Sequence, residues 1–439
     1  MSSGELNIST KRLLSPPEAA PQRIPIPLLV VTWVLIIPLL YYCIKGSVRF
    51  HSSFSSDLLA SNLDAGASDT RARAAAIFVV LVSCAILFRK LPSILALFTK
   101  NLSLVYLCCL ADISLLWSVA PWSTFLHGLY ITINLFIAGY IVERFSISEQ
   151  IQLFRMIGWI AVIGSICVAI AVPAYGIDNK GNWIGIFYHK NICAVMVVYL
   201  LTTALYDKPV TGLSKLSRFV YVTASLFLIA MTQSRTGWLL ALFLFIVWIA
   251  FKTLAAFRGK DRAVIIVLIL ACILIISGLA VAYHTEIITL LGKDATLSGR
   301  TEIFNAILRV IFSRPLLGYG YIAYFYGPNN FLMGVMSDPQ SPQQALDNGY
   351  LGVWLDLGLA GIVLLGYTAF RAWRNILTNV KNGRAEQIGW YASIIMLAIV
   401  SNTVERMFML PNYLAWILYM MACLGLRQEV LQSRDQEAA

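Results

Sequence analysis

The sequence predicts an all-α, polytopic integral membrane protein with about twelve transmembrane helices. Three observations carry this. Of 439 residues, 59% are hydrophobic and only 13% charged, whereas a soluble domain carries about 25% charged residues; mean hydropathy is +0.75. Apolar runs of about 17–22 residues recur along the chain, the length a helix needs to cross about 30 Å of hydrocarbon. The 33 Lys and Arg outnumber the 22 Asp and Glu, for a net charge of +11. In a chain of this kind that excess reads as basic cytoplasmic loops and excludes a nucleic-acid role.

Residues 1–24 are polar, basic and Ser/Pro-containing, and are expected to form a disordered cytoplasmic tail. They lack a cleavable signal pattern, because the apolar run that follows is long enough to span. The expected spans are 25–44, 73–89, 101–119, 121–142, 152–172, 190–206, 217–233, 236–256, 263–283, 351–370, 388–403 and 412–426. Residues 91–100 read as a short re-entrant piece, which puts the count between eleven and thirteen. Residues 25–426 then form a single membrane domain, and 427–439 a cytoplasmic tail. No repeat relates the two halves, and no Pro/Ser-rich linker sets off a second domain.

Orientation follows from basic density. The seventeen residues 371–387 hold four Lys/Arg, and so do the 67 residues 284–350. The sparse segment, 284–350, is therefore expected to be a large loop on the non-cytoplasmic side, with both termini cytoplasmic. Within that loop Ser298 is placed as an N-cap. Ile303, Phe304, Ile307, Leu308, Ile311 and Phe312 make one apolar face of an amphipathic helix, which Pro315, Gly318 and Gly320 end. The eight cysteines all lie in or beside apolar segments without CxxC spacing, so neither a zinc site nor a disulfide framework is expected.

Four clusters on the outer side carry candidate chemistry. They are Gly185 to Asn191 with His189 and Lys190, Gln233 to Gly237 with Arg235, Ser298 to Glu302 with Arg300, and Asp347-Asn348-Gly349-Tyr350. Their common physics is anion binding. Arg235 is flanked by long apolar segments, where a guanidinium favours a planar multi-oxygen anion held bidentately. Arg300 at a helix N-terminus adds its charge to unsatisfied backbone N–H groups. The two arginines with Lys190 would suit a diphosphate. Each cluster also has a plainer reading. Arg235 serves as a snorkelling anchor, Arg300 as a solvated helix start, His189-Lys190 as interface residues, and Asp347-Asn348-Gly349 as turn chemistry. Asp112 and Glu405-Arg406 are ionisable residues inside apolar stretches, functional by default; a structural pair, Glu405–Arg406 or Asp112–Arg235, is the alternative.

Taken in order, these clusters resemble the O-antigen ligase/polymerase superfamily of bacterial envelope glycan assembly. The resemblance runs through Trp117-Ser118-Val-Ala-Pro121, residues 185–191, Ser234-Arg235-Thr236 and Gly299-Arg-Thr-Glu-Ile-Phe304. It continues through Arg314-Pro-Leu-Leu-Gly-Tyr-Gly320, Asn348-Gly-Tyr-Leu, Leu357-Gly-Leu-Ala-Gly361 and Asn402-Thr-Val-Glu405. The His-Lys-Asn and Ser-Arg-Thr wording is most similar to Wzy-type exopolysaccharide polymerases. The resemblance implies a GT-C-like glycosyltransferase that needs no metal or other cofactor and takes its glycan from an undecaprenyl-diphosphate carrier. It assigns Arg235 and Arg300, with Lys190 and His189, to the donor diphosphate, and Asn348, Tyr350 and Asn191 to positioning the acceptor. One departure stands out: where many relatives have a His before the Asn of the re-entry motif, this chain has Asp347. A carboxylate can act as base for an acceptor hydroxyl, which makes Asp347 the first candidate and Glu405 the second.

The expected function is polymerisation of lipid-linked oligosaccharide repeats into a surface polysaccharide, with the lipid-linked glycan, a glycan acceptor and a chain-length regulator as partners. A ligase that moves the glycan to a lipid A core or a protein is the alternative. A lipid-linked oligosaccharide flippase and a structural component of an export complex come from other classes. A flippase would be expected to show two related halves, which this chain lacks.

Overall fold

A computed structural model of the chain describes residues 91–208, 211–257, 300–327, 348–411 and 413–438. The expected spans 25–44, 73–89 and 263–283 lie outside the described residues, as do the two tails' ends and Ser298. The described residues are all-helical apart from an isolated antiparallel bridge between Ile177 and Trp183.

The elements are α1 (Leu91–Thr99), α2 (Leu102–Ile113, prolonged to Trp117 by a 3-10 turn), α3 (Pro121–Arg144), α4 (Ile147–Ala171), α5 (Lys190–Tyr206) and α6 (Gly212–Met231). Then follow α7 (Arg235–Ala256), α8 (Arg300–Ser313), α9 (Gly349–Lys381), α10 (Ala385–Ser401) and α11 (Leu414–Ala438). Six of these are long and apolar enough to cross a membrane, and α1 with α2 makes a seventh candidate, bent by 103°. The expected span 101–119 is therefore one limb of a bent pair, and the piece at 91–100 is the other. α5 and α10 are apolar but shorter, 17 residues each. The chain is a multi-pass membrane protein.

Helix starts follow local chemistry. Pro121 opens α3, where its missing N–H costs nothing. Ser146 with Glu149, and Thr211 with Ser214, close reciprocal capping boxes on α4 and α6. Ser234 and Asn348 cap α7 and α9 through side-chain oxygens. α11 forms the centre of the bundle: its Leu414–Leu431 window is 83% buried, against 22% for α6 at the periphery. It packs on α3, α9 and α10. The helix runs through residue 426, where a tail was expected to begin, and Arg384 and Gln387 both bond to the Glu429 carboxylate.

The amphipathic helix expected in the large loop is α8. Its buried face is Ala306, Ile307, Val310 and Ile311. The face is rotated from the one the spacing suggests, since Phe312 stays exposed and packs edge-on against Trp354.

α9 is broken. Gly358 has φ 65° and ψ −163°, so the helical ladder stops and restarts there. The chain after α8 fills the gap. Tyr319 and Gly320 donate their N–H groups to the carbonyls of Leu355 and Asp356, each at 3.0 Å, while the N–H groups of Leu359 and Ala360 reach the carbonyls of Pro315 and Leu316 at 2.8 and 3.2 Å. Backbone groups freed inside a membrane helix must be re-satisfied within the protein, and this strap, residues 315–320, does so. Contact is close enough that a Cβ on Gly358 would come within 2.3 Å of the Leu316 carbonyl, and one on Gly318 within 2.6 Å of the Asp356 carbonyl oxygen.

Candidate functional site

The starts of α5, α7 and α9, the ends of α4, α6 and α10, and the 402–411 connection all lie at one end of the bundle. Here the motifs separated in sequence come together through side-chain bonds. Asn191 donates Nδ2 to the Glu405 Oε1 at 2.6 Å, and its Oδ1 accepts from the Ser234 hydroxyl at 2.8 Å. Ser234 in turn accepts from the backbone N–H of Gly237 as it caps α7. Gly237 has no room for a side chain, since a Cβ would stand 2.4 Å from that of Ala194 on α5. The chain Glu405–Asn191–Ser234 thus locks the starts of α5 and α7 onto the 402–411 loop.

Arg235 is the first residue of α7 and is partly buried, and its Nη1 is buried without a hydrogen-bond partner among the described residues. Lys190 and Arg300 likewise open α5 and α8. A helix N-terminus carries the equivalent of about half a positive charge and favours anions by ~0.3–1 kcal/mol. Three cations at three such positions therefore run against the local preference, and a bound anion would relieve it. His189 caps α5, its Nδ1 accepting from the Asn191 N–H at 3.3 Å. Behind this cluster Asp178 gathers the N–H groups of Lys180 and Asn182 and the Asn182 side chain. Burial alone would raise its pKa. The Asn182 and Lys180 bonds and the charge of Lys190 outweigh that and leave it below the usual aspartate value.

The α9 start is tied to the same loop. Asn348 Oδ1 accepts from the N–H groups of Tyr350 and Leu351 at 2.9 and 3.0 Å, and its Nδ2 reaches the Thr403 carbonyl at 3.3 Å. The Gly349 N–H bonds to the Asn402 carbonyl at 2.8 Å, and the Tyr350 hydroxyl to the Ile399 carbonyl at 2.8 Å. Asp347, one residue earlier, lies outside the described residues, and of Arg300 the backbone alone is described.

The two pairings weighed from sequence give way to others. Arg406 pairs with Asp356 at 2.5 Å, both side chains buried, rather than with its neighbour Glu405. Asp112 accepts from Thr132 at 2.7 Å, not from Arg235. Adjacent residues on an extended turn point apart, so Glu405 faces Asn191 while Arg406 faces the broken helix. Asp356 was overlooked as a candidate, although it sits inside the apolar run 351–370. The rule that marks Asp112 and Glu405 marks it equally. The Trp117-to-Pro121 motif finds its partner in the strap: Val119 N–H bonds to the Tyr319 carbonyl at 3.0 Å, the Trp117 indole to the Leu317 carbonyl at 2.9 Å and Thr124 to the Tyr321 carbonyl at 3.1 Å.

The fold defines a multi-pass helical membrane protein, and at one end of its bundle Asn191, Ser234, Asn348 and Glu405 are bonded to one another or to one loop. Residues 220–366 match the family model described as O-Antigen ligase, and this match supports the O-antigen ligase/polymerase superfamily as the class of the chain. The segment spans Arg235, Arg300, Asn348 and the α9 break, while Asn191 and Glu405 lie outside it. No curated protein matches the sequence. A solved structure described as "Structural coordination of polymerization and crosslinking by a peptidoglycan synthase complex" is similar at 14% identity and a TM-score of 0.34, over 78% of this chain and 98% of that one. That likeness is too slight to define the fold.

Proposed function

We propose that the chain is a GT-C-like glycosyltransferase that polymerises undecaprenyl-diphosphate-linked oligosaccharide repeats at the periplasmic face of a bacterial inner membrane. The observation that carries the reading is Arg235: a helix-opening guanidinium with a buried Nη1 that nothing among the described residues satisfies, set beside the Ser234–Asn191–Glu405 chain. A buried N–H on a charged group is costly to leave unpaired, and a diphosphate oxygen would satisfy it. The acceptor hydroxyl attacks the anomeric carbon, and the bond to the carrier's diphosphate oxygen breaks. The charge on the departing undecaprenyl diphosphate is met by Arg235 and Arg300, with Lys190 and His189 alongside. Preorganised cations in a low-dielectric site are an effective way to stabilise such a leaving group.

Asp347 is the base in this reading, with Asn348, Tyr350 and Asn191 positioning the acceptor. Glu405 is the second candidate. One of its oxygens already accepts a 2.6 Å bond from Asn191, and a hydrogen bond to the charged form makes a carboxylate a weaker base. The test is direct: purified full-length protein is incubated with lipid-linked repeats extracted from cells that lack the gene. A ladder of lengthening products is expected. Unchanged lipid-linked repeats would overturn the proposal. Single transfer of the glycan to lipid A core, without a ladder, would establish a ligase, which the family description also supports.

A further inference from the structure

A second set of buried polar groups lies where α3, the strap and the 402–411 loop meet on α9. Two of its side chains keep atoms without partners among the described residues. Arg406, 3% exposed, gives Nη2 to Asp356 and leaves Nε and Nη1 buried and unpaired. His127, also 3% exposed, holds Nδ1 at 2.7 Å from the Ser123 carbonyl and leaves Nε2 buried and unpaired. A chain of contacts leads from one toward the other. The Ser123 hydroxyl bonds to the Ile322 carbonyl at 3.0 Å, the N–H of Gly320, two residues earlier, bonds to the Asp356 carbonyl at 3.0 Å, and the Asp356 side chain pairs with Arg406.

The leftover atoms have complementary roles. A carbonyl can only accept, so His127 Nδ1 carries the ring proton, and Nε2 of the neutral ring is an acceptor; the free Arg406 atoms are donors. Asp356 already neutralises the guanidinium, so a further anion is not called for, in contrast to Arg235. A neutral group that accepts from Arg406 and donates to His127 fits, and a hydroxyl is the simplest such group. The position suits a substrate. Arg406 follows Glu405, and its guanidinium lies against Gly352, where a Cβ would come within 2.6 Å of Nε. Gly352 is one turn into α9, its N–H bonded to the Asn348 carbonyl at 3.1 Å.

We propose that Arg406 and His127 form a subsite for a sugar hydroxyl of the glycan substrate, and so help select which sugar is presented beside Glu405. This rests on the glycan-transfer reading above. A trapped water has the same donor and acceptor pattern, and the experiment separates the two. KM and kcat are measured on full-length protein with extracted lipid-linked repeats, for His127→Asn, His127→Gln, Arg406→Lys and the double variant His127→Asn/Arg406→Lys. Asn retains a donor for the Ser123 carbonyl but has no atom at Nε2. It should raise KM about tenfold, the effect of losing a good hydrogen bond, with little change in kcat or in thermal unfolding without substrate. Gln, which reaches the Nε2 position, should recover part of that loss. Arg406→Lys keeps a charge opposite Asp356 and should also raise KM. The double variant should be no worse than the poorer single one, because both lose the same hydroxyl. A wild-type KM in His127→Asn, or losses that simply add, would mean a buried water or packing role and overturn the subsite. If Arg406→Lys fails to accumulate, the two His127 variants decide alone. A wild-type protein that builds no ladder defeats the glycan-transfer reading and this inference together, whereas a normal ladder with an unaffected His127→Asn defeats the subsite only.

Discussion

At one end of the bundle charges pair with each other, and at the other a buried guanidinium N–H goes unpaired among the described residues. Lys208 and Lys252 lie 3.1 and 3.5 Å from Glu386, Arg384 lies 3.3 Å from Glu429, and Arg155 pairs with Asp207. These pairs tie the ends of α5, α7, α9 and α11 to the starts of α4 and α10. At the opposite end Arg235 keeps a buried N–H unpaired, Glu405 is held by a neutral amide, and the fit depends on glycines at 237, 318, 352 and 358. At the first end the charges named are met by one another. At the second, in the proposed function, the open groups are the ones a ligand completes.

If the contrast holds, variants at the motif end should lose activity without unfolding the protein. The largest effect is expected at Asp347. Asp347→Asn is nearly isosteric and should cut polymer formation about 10²–10⁴-fold, the usual range for a general base, while lipid-linked repeat still binds. A fewfold loss there, with a dead Glu405→Gln, would move the base to Glu405. Arg235→Lys keeps the charge but loses the planar fork, and should slow turnover about 10²–10³-fold with normal accumulation in the membrane. Near-normal product lengths on a gel would remove Arg235 from the site.

Asp356 sharpens the comparison because it belongs to the motif end yet is paired. Asp356→Asn strands Arg406, both side chains being buried, and should destabilise the protein by about 3–5 kcal/mol, read as earlier unfolding on heating in detergent. Glu386→Gln at the other end should cost only ~0.2–1 kcal/mol, since its partners are exposed; a much larger loss would make the ionic end a structural keystone and blunt the contrast. The smallest effect concerns pH. Asp178 sits below the ordinary aspartate value of 3.8, so its contribution is complete above that value and fades as pH falls through the lower folded value. Protease nicking within residues 177–183 should therefore rise only below about pH 4, and Asp178→Ala should show it at neutral pH.

Much of this was legible in the residues. The Pro121 start and the amphipathic α8 follow from the local sequence; the caps Ser146, Thr211 and Ser234 are just as local, yet the expected spans begin several residues after the first two of them. The run at 101–119 shows the limit. Its apolar content marks a span, but the 103° bend before it depends on where α1 packs. The candidate residues at 189–191, 235 and 405 could be listed, yet their connection could not, because Asn191 and Glu405 are 214 positions apart.

What the sequence determined by itself is the class: length, apolar periodicity and basic loops specify a multi-pass helical membrane protein, because lipid admits few other backbones. It also determined which residues are out of place in such an environment, since each intramembrane charge or helix-opening cation is conspicuous against apolar neighbours. Which charge meets which was decided by tertiary structure. Glu405 and Arg406 are neighbours that turn to different partners, Asn191 and Asp356, and the strap at 315–320 finds the break at Gly358. The reason is that hydrogen bonds and ion pairs act over about 3 Å in space, and packing rather than chain order determines what lies within that distance.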